Sequence, residues 1–88
     1  MHSKSRVYRN HITIYHPEQP TPEDIDIFKE WCEEYCKIWV FQHEKSKKGM
    51  HHFQAVVSLK KKAMTATTIA KIANWSKWPK GHINISPN

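Results

Sequence analysis

Glu44, His52 and Gln54 offer a carboxylate, an imidazole and an amide oxygen. These are donor types that Mg²⁺ or Mn²⁺ accepts, Mn²⁺ being the more tolerant of imidazole. The residues around His52 alternate as in a strand: His52, Gln54, Val56 and Ser58 fall on one face, Phe53, Ala55, Val57 and Leu59 on the other. Upstream, Ile38-Trp39-Val40-Phe41-Gln42-His43 is a second strand-like run that ends at Glu44, and a seven-residue basic loop separates the two. Folded as an antiparallel hairpin, the runs bring Glu44 close to His52 and Gln54. Ligands from one side leave coordination positions for water and a phosphate oxygen, which a bound cation would polarise toward attack. His-x-Gln is a short motif, so a polar strand edge that hydrogen-bonds water is the competing reading.

The elements that must hold this hairpin are legible on either side of it. Residues 8–16 alternate, with Ile12 and Ile14 on one side and His11, Thr13 and Tyr15 on the other, which predicts a half-buried strand. Pro17-Glu18-Gln19-Pro20 ends it. Thr21-Pro22-Glu23-Asp24 is a helix start, with threonine as N-cap, proline in the first turn and acids behind it. Ile25, Phe28, Trp31, Cys32, Tyr35 and Cys36 then share a helical stripe, which reads as core. The hairpin strands are expected over residues 38–44 and from about His51 to Leu59, closed by Lys60-Lys61-Lys62. Thr65 or Thr67 can cap a second helix ending near Asn74, with Met64, Ile69, Ile72 and Ala73 inward. Trp75-Ser76-Lys77-Trp78-Pro79-Lys80-Gly81 reads as a turn before a fourth strand over residues 82–86. The order β-α-β-β-α-β predicts an α+β fold, the ferredoxin-like split βαβ, with an antiparallel sheet and both helices on one face.

The 88 residues are enough for one domain, residues 1–88, with a modest core. Hydrophobic residues make up 39% and charged residues 25%, a balance that excludes a disordered chain. The net charge of +6 points to a polyanionic partner, although lysine excess can also serve solubility alone. Candidate nucleic-acid contacts are Arg6, Arg9, His11, Thr13 and Tyr15 at the first strand, Lys45, Lys47 and Lys48 in the loop, and Lys60 and Lys61 at the far end of the third strand. Trp75, Lys77, Trp78 and Lys80 interleave rings with charge, a pattern suited to stacking single-stranded bases, unless the tryptophans cover the end of the core. No apolar run reaches the roughly 20 residues a spanning helix needs, and the basic N-terminus has no apolar stretch behind it, so neither a membrane partner nor a secretory signal is expected. Cys32 and Cys36 read as reduced core residues of an intracellular protein rather than zinc ligands. His2, His11, His16, His43 and His82 have no evident partners and read as surface or strand residues, and alternation points His51 away from Gln54.

Gly49-Met50-His51-His52-Phe53-Gln54-Ala55, followed by Val-Val-Ser-Leu-Lys-Lys-Lys, resembles the second motif of replication initiator (Rep) proteins of circular single-stranded DNA viruses. These belong to the HUH endonuclease superfamily, whose circovirus and nanovirus branches carry His-hydrophobic-Gln here. Ile12-Thr13-Ile14-Tyr15-His16-Pro17 is similar to the first motif, usually Phe-Thr-Leu-Asn-Asn-Pro. Residues 63–72 and His82-Ile83-Asn84 continue the layout, so the resemblance covers nearly the whole chain. It implies Glu44, His52 and Gln54 as ligands of Mn²⁺ or Mg²⁺ and single-stranded DNA at an origin hairpin as substrate. It further implies site-specific nicking and joining through a phosphotyrosine intermediate, in the nucleus of a eukaryotic host. The isolated domain is expected to be monomeric.

This sequence departs from that pattern. Tyr15-His16 replaces the paired asparagines, and Ala55 stands where the family has glycine. The third motif, Tyr-x-x-Lys, is not found among Tyr8, Tyr15 and Tyr35, none of which has lysine three residues on. The expectation is a truncated or unusually short nuclease domain that binds metal and DNA without the usual nucleophile, Tyr15 being a conceivable substitute. Two other readings compete: a non-catalytic, RNA-recognition-like single-strand-binding module, and a catalytically dead Rep fold that binds a partner.

Overall fold

The computed structural model describes residues 6–16, 18–75 and 82–87, with the side chains of Trp75 and Pro87 not described. Its elements are β1 (Val7–His16), α1 (Pro22–Tyr35), β2 (Cys36–Lys45), β3 (His51–Ala63), α2 (Thr65–Trp75) and β4 (Ile83–Pro87). The strands form one sheet in the order β2-β3-β1-β4, and every pairing is antiparallel. The chain is therefore α+β with the ferredoxin-like β-α-β-β-α-β arrangement that the sequence predicts. The expected turn at residues 75–81 lies, beyond Trp75, outside the described residues, as do Lys77, Trp78 and Lys80.

Local chemistry explains the start of α1. The Thr21 hydroxyl accepts from the Asp24 N–H at 3.2 Å, and the Asp24 carboxylate accepts from the Thr21 N–H at 2.8 Å, a reciprocal capping box. Pro22 follows where a missing N–H costs nothing. At the other end Cys36 already has extended backbone and belongs to β2, so the predicted stripe leaves the helix at Tyr35. In α2, Thr65 lies inside the helix rather than capping it, and Thr68 is buried with its hydroxyl 3.4 Å from the Met64 carbonyl. The strand β3 runs four residues beyond Leu59, through the three lysines to Ala63, because Val7 still pairs with Ala63 past an irregularity in β1.

The core lies on one face of the sheet. Ile12 and Ile14 of β1, Phe53, Ala55, Val57 and Leu59 of β3, and Ile83 and Ile85 of β4 are buried there against Phe28, Trp31, Cys32 and Ile72 from the helices. Phe28 is fully buried: Phe41 meets it edge-on at 4.8 Å, and Phe53 and Trp31 stack at 5.7 and 5.9 Å. Both cysteines are buried and free. Mutual hydrogen bonding with Cys36 and burial push the Cys32 thiol far above its usual range, so it is inert as a nucleophile.

Removing the Phe28 ring should leave a cavity beneath β2 and β3. Phe28→Ala is expected to cost about 3–5 kcal/mol, read as a lower midpoint in chemical denaturation with an unchanged slope.

Candidate metal and nucleic-acid face

Among the described residues nothing packs over the other face of the sheet. Because Phe53, Ala55 and Val57 point into the core, His52, Gln54, Val56 and Ser58 point away from it. The same alternation exposes Arg9, His11 and Tyr15 and half-exposes Thr13 on β1, and exposes Ile38, Val40 and Gln42 on β2 beside a half-buried Glu44.

Strand register then assembles the site. Glu44 pairs with His52 across β2–β3, and Tyr15 pairs with His52 across β1–β3. Gln54 has Gln42 opposite on one side and Thr13 on the other. His52 Nε2 lies 3.1 Å from Glu44 Oε1, close to the ~3 Å that separates neighbouring ligand atoms in an octahedral shell of ~2.1 Å bonds. Glu44 Oε2 accepts a hydrogen bond from the Gln42 amide, which leaves Oε1 turned to His52. Gln54 Oε1 lies 3.5 Å from the Thr13 hydroxyl. Carboxylate, imidazole and amide oxygen thus share the open face and are donor types that a hard cation accepts, although the Gln54 oxygen is turned to Thr13 on the β1 side while Glu44 and His52 meet on the β2 side. Among the described residues no group of three or more His, Cys, Asp or Glu surrounds one point, so Gln54 would have to be the third protein ligand.

Of the predicted nucleic-acid residues Thr13 and Tyr15 flank this group, whereas His11 and Arg9 lead away from it, Arg9 pairing with Ser58 about 20 Å along β3 from His52. Arg9, His11, Thr13 and Tyr15 lie along one row, and the Tyr15 ring is 6.2 Å from that of His52. Lys47 and Lys48 are exposed in the loop, now residues 46–50 rather than seven. That loop closes through Ser46 N–H to the Met50 carbonyl at 2.8 Å, with Gly49 at φ 87°, a value side chains disfavour. Arg6 is exposed just before β1. Lys45 pairs with His51 on the opposite face from Glu44. Lys60 and Lys61 are not brought to the site: at ~3.3 Å per residue Lys60 is about 26 Å along β3 from His52. Its ammonium donates to the Glu33 carbonyl at 3.0 Å, near the C-terminal end of α1. Trp75 closes α2.

The histidines depart most from expectation. His16 is buried among the core-side residues, its ring 4.8 Å from Phe53, and His43 Nε2 lies 2.8 Å from His51 Nδ1. Both findings follow from strand parity, since His16 continues the Ile12–Ile14 row and His43 pairs with Phe53. Gln42, the partner of Glu44, could likewise have been found two residues before it.

No protein-family model and no curated protein matches the chain, so its chemistry rests on this geometry.

Burial holds the His16 imidazole below its ordinary value of 6.5; His43, His51 and His82 push the same way and Asp24 opposes them. The unfolded chain therefore takes up this proton near 6.5 while the folded chain resists it, and stability declines as pH falls below that value. Half-exposed His51 is shifted in the same direction by partial desolvation, His43 and Lys45. Thermal unfolding followed from about pH 7.5 to about pH 5.5 should show a falling Tm, with a shallower slope in His16→Gln.

Proposed function

We propose that this chain is the metal- and DNA-binding part of a replication-initiator-type endonuclease, which holds single-stranded DNA across the open sheet face with a phosphate at Glu44, His52 and Gln54. The observation that carries the reading is the Glu44–His52 pair at 3.1 Å, on the face opposite the packed core, with Gln54 next along the same row. Mn²⁺ or Mg²⁺ would supply Lewis-acid polarisation of that phosphate. The chain's own groups do the rest. Gln42 orients the Glu44 carboxylate, Thr13 meets Gln54, and Tyr15 presents an exposed ring on which a base can stack beside His52. Lys47 and Lys48 add charge at the hairpin tip. Nicking and joining through a tyrosine would need a nucleophile, and no Tyr-x-x-Lys occurs among these residues.

One observation favours a second reading, a non-catalytic single-strand or RNA-binding module. Tyr15 is 42% exposed on the open face of a central strand, where RNA-recognition domains place stacking rings. The corresponding positions on β3 are Gln54 and Val56, which cannot stack, so this reading is second.

Calorimetric titration with Mn²⁺ should give one site per chain, weakened roughly tenfold or more in His52→Ala and Gln54→Ala. Equal affinity in parent and variants would remove the metal assignment. Metal-independent binding with equal affinity for RNA and DNA would favour the second reading.

Anisotropy of a labelled DNA single strand reads the basic loop separately. Replacing Lys47 and Lys48 by glutamine together should lower the slope of log K against log salt by about 1.4, whereas Lys60→Gln should leave it unchanged.

A further inference from the structure

We propose that His43 and His51 form a second cation site, on the helix side of the sheet, for a borderline transition-metal ion such as Zn²⁺ or Cu²⁺. The site lies behind the Glu44–His52 pair on the same two strands, and it stands or falls independently of the function proposed above. His43 precedes Glu44 and His51 precedes His52, so alternation sends the two imidazoles to the face opposite the carboxylate site. In the β2–β3 register His43 pairs with Phe53 and His51 with Lys45, which makes the two histidines diagonal neighbours on one face.

The side chains meet. His43 Nε2 lies 2.8 Å from His51 Nδ1, with ring centroids 5.0 Å apart and the planes 28° from parallel. In the metal-free pair one nitrogen must donate its N–H to the lone pair of the other. If both rings take the tautomer with the proton on the outer nitrogen, the two facing nitrogens each carry a lone pair. Two imidazoles on one ion at bonds of ~2.0–2.1 Å place their nitrogens about 2.9–3.4 Å apart, depending on the angle at the metal. The observed separation reaches this by a shift of a few tenths of an ångström.

Two imidazoles select differently from the opposite face. Nitrogen donors favour Cu²⁺ and Zn²⁺, while the carboxylate and amide oxygens of Glu44 and Gln54 suit Mn²⁺ or Mg²⁺. His16 stands across from His51 in the β1–β3 register, on the same side, and feels the charge of both His43 and His51. Lys45, beside His51, opposes a cation and limits the affinity. With no third His, Cys, Asp or Glu arranged around the same point among the described residues, water fills the other positions.

The test is Zn²⁺ calorimetry in saturating Mg²⁺, on the full chain in a His2→Ala background so that no histidine remains beside the amino terminus. One Zn²⁺ per chain is expected. Its affinity should fall roughly tenfold or more in His43→Gln and in His51→Gln, and stay within about twofold of the parent in Glu44→Gln and Gln54→Ala. Parent-like Zn²⁺ affinity in both histidine variants overturns the proposal, as does an equal loss in Glu44→Gln. Electron paramagnetic resonance of one equivalent of Cu²⁺ on the same His2→Ala chain, with no other substitution, reads the site without relying on the folding of a variant. Nitrogen splitting from two imidazoles is expected; a spectrum with one nitrogen, the number His52 alone would give, overturns it.

Discussion

Phe53 sets the geometry on which the site depends. It is fully buried between Phe28, Phe41, His16 and His43, so its side chain has one place to go. A strand cannot send adjacent side chains to the same face, and His52 and Gln54 are therefore committed to the open side. A one-residue slip of β3 would bury the imidazole and expose the ring, at the cost of the whole aromatic cluster. The packing that stabilises the fold is thus also what aims the ligands.

The partner strands complete the arrangement by the same rule. Cross-strand pairing puts Glu44 opposite His52, and the next open-face positions along those strands supply Gln42 and Gln54. On the other flank β1 contributes Thr13 and Tyr15. A polar group therefore sits on the three strands β2, β3 and β1, backed by the aromatic cluster of Phe28, Phe41 and Phe53. A cation site on paired strands loses less order than one on a loop, because the ladder already fixes the backbone. Exposed Lys47 and Lys48 lie on the hairpin loop, where long-range charge, rather than close placement, is what matters.

Much of this was legible in the sequence, because period-two alternation reports the face of each strand residue. The parity of Ile12 and Ile14, and of Phe53, Ala55 and Val57, was enough to predict the open row. The capping signal at Thr21 and Asp24 marked α1. What escaped was registration at the sheet's far end: nothing local says that Lys60-Lys61-Lys62 continue a strand, since that depends on Val7 pairing with Ala63. Lys60 then turns to the Glu33 carbonyl, a tertiary contact across 27 residues of sequence separation. The burial of His16 follows from the parity of Ile12 and Ile14, although a histidine's polarity suggests the surface; His43 is at the surface as its polarity suggests, and only its His51 partner depends on strand register. The two faces of the hairpin end together hold four histidine and carboxylate groups, Glu44 and His52 in front and His43 and His51 behind.

The most direct test of the central claim is nuclear magnetic resonance of the isotope-labelled chain with substoichiometric Mn²⁺, since paramagnetic broadening reports distance from the ion. The account predicts selective loss of the amide signals of Glu44, His52, Gln54 and Tyr15, while those of Ile38, Ser58 and Lys60 persist. Broadening centred on the acidic residues of α1, or no site-selective broadening at all, would contradict it.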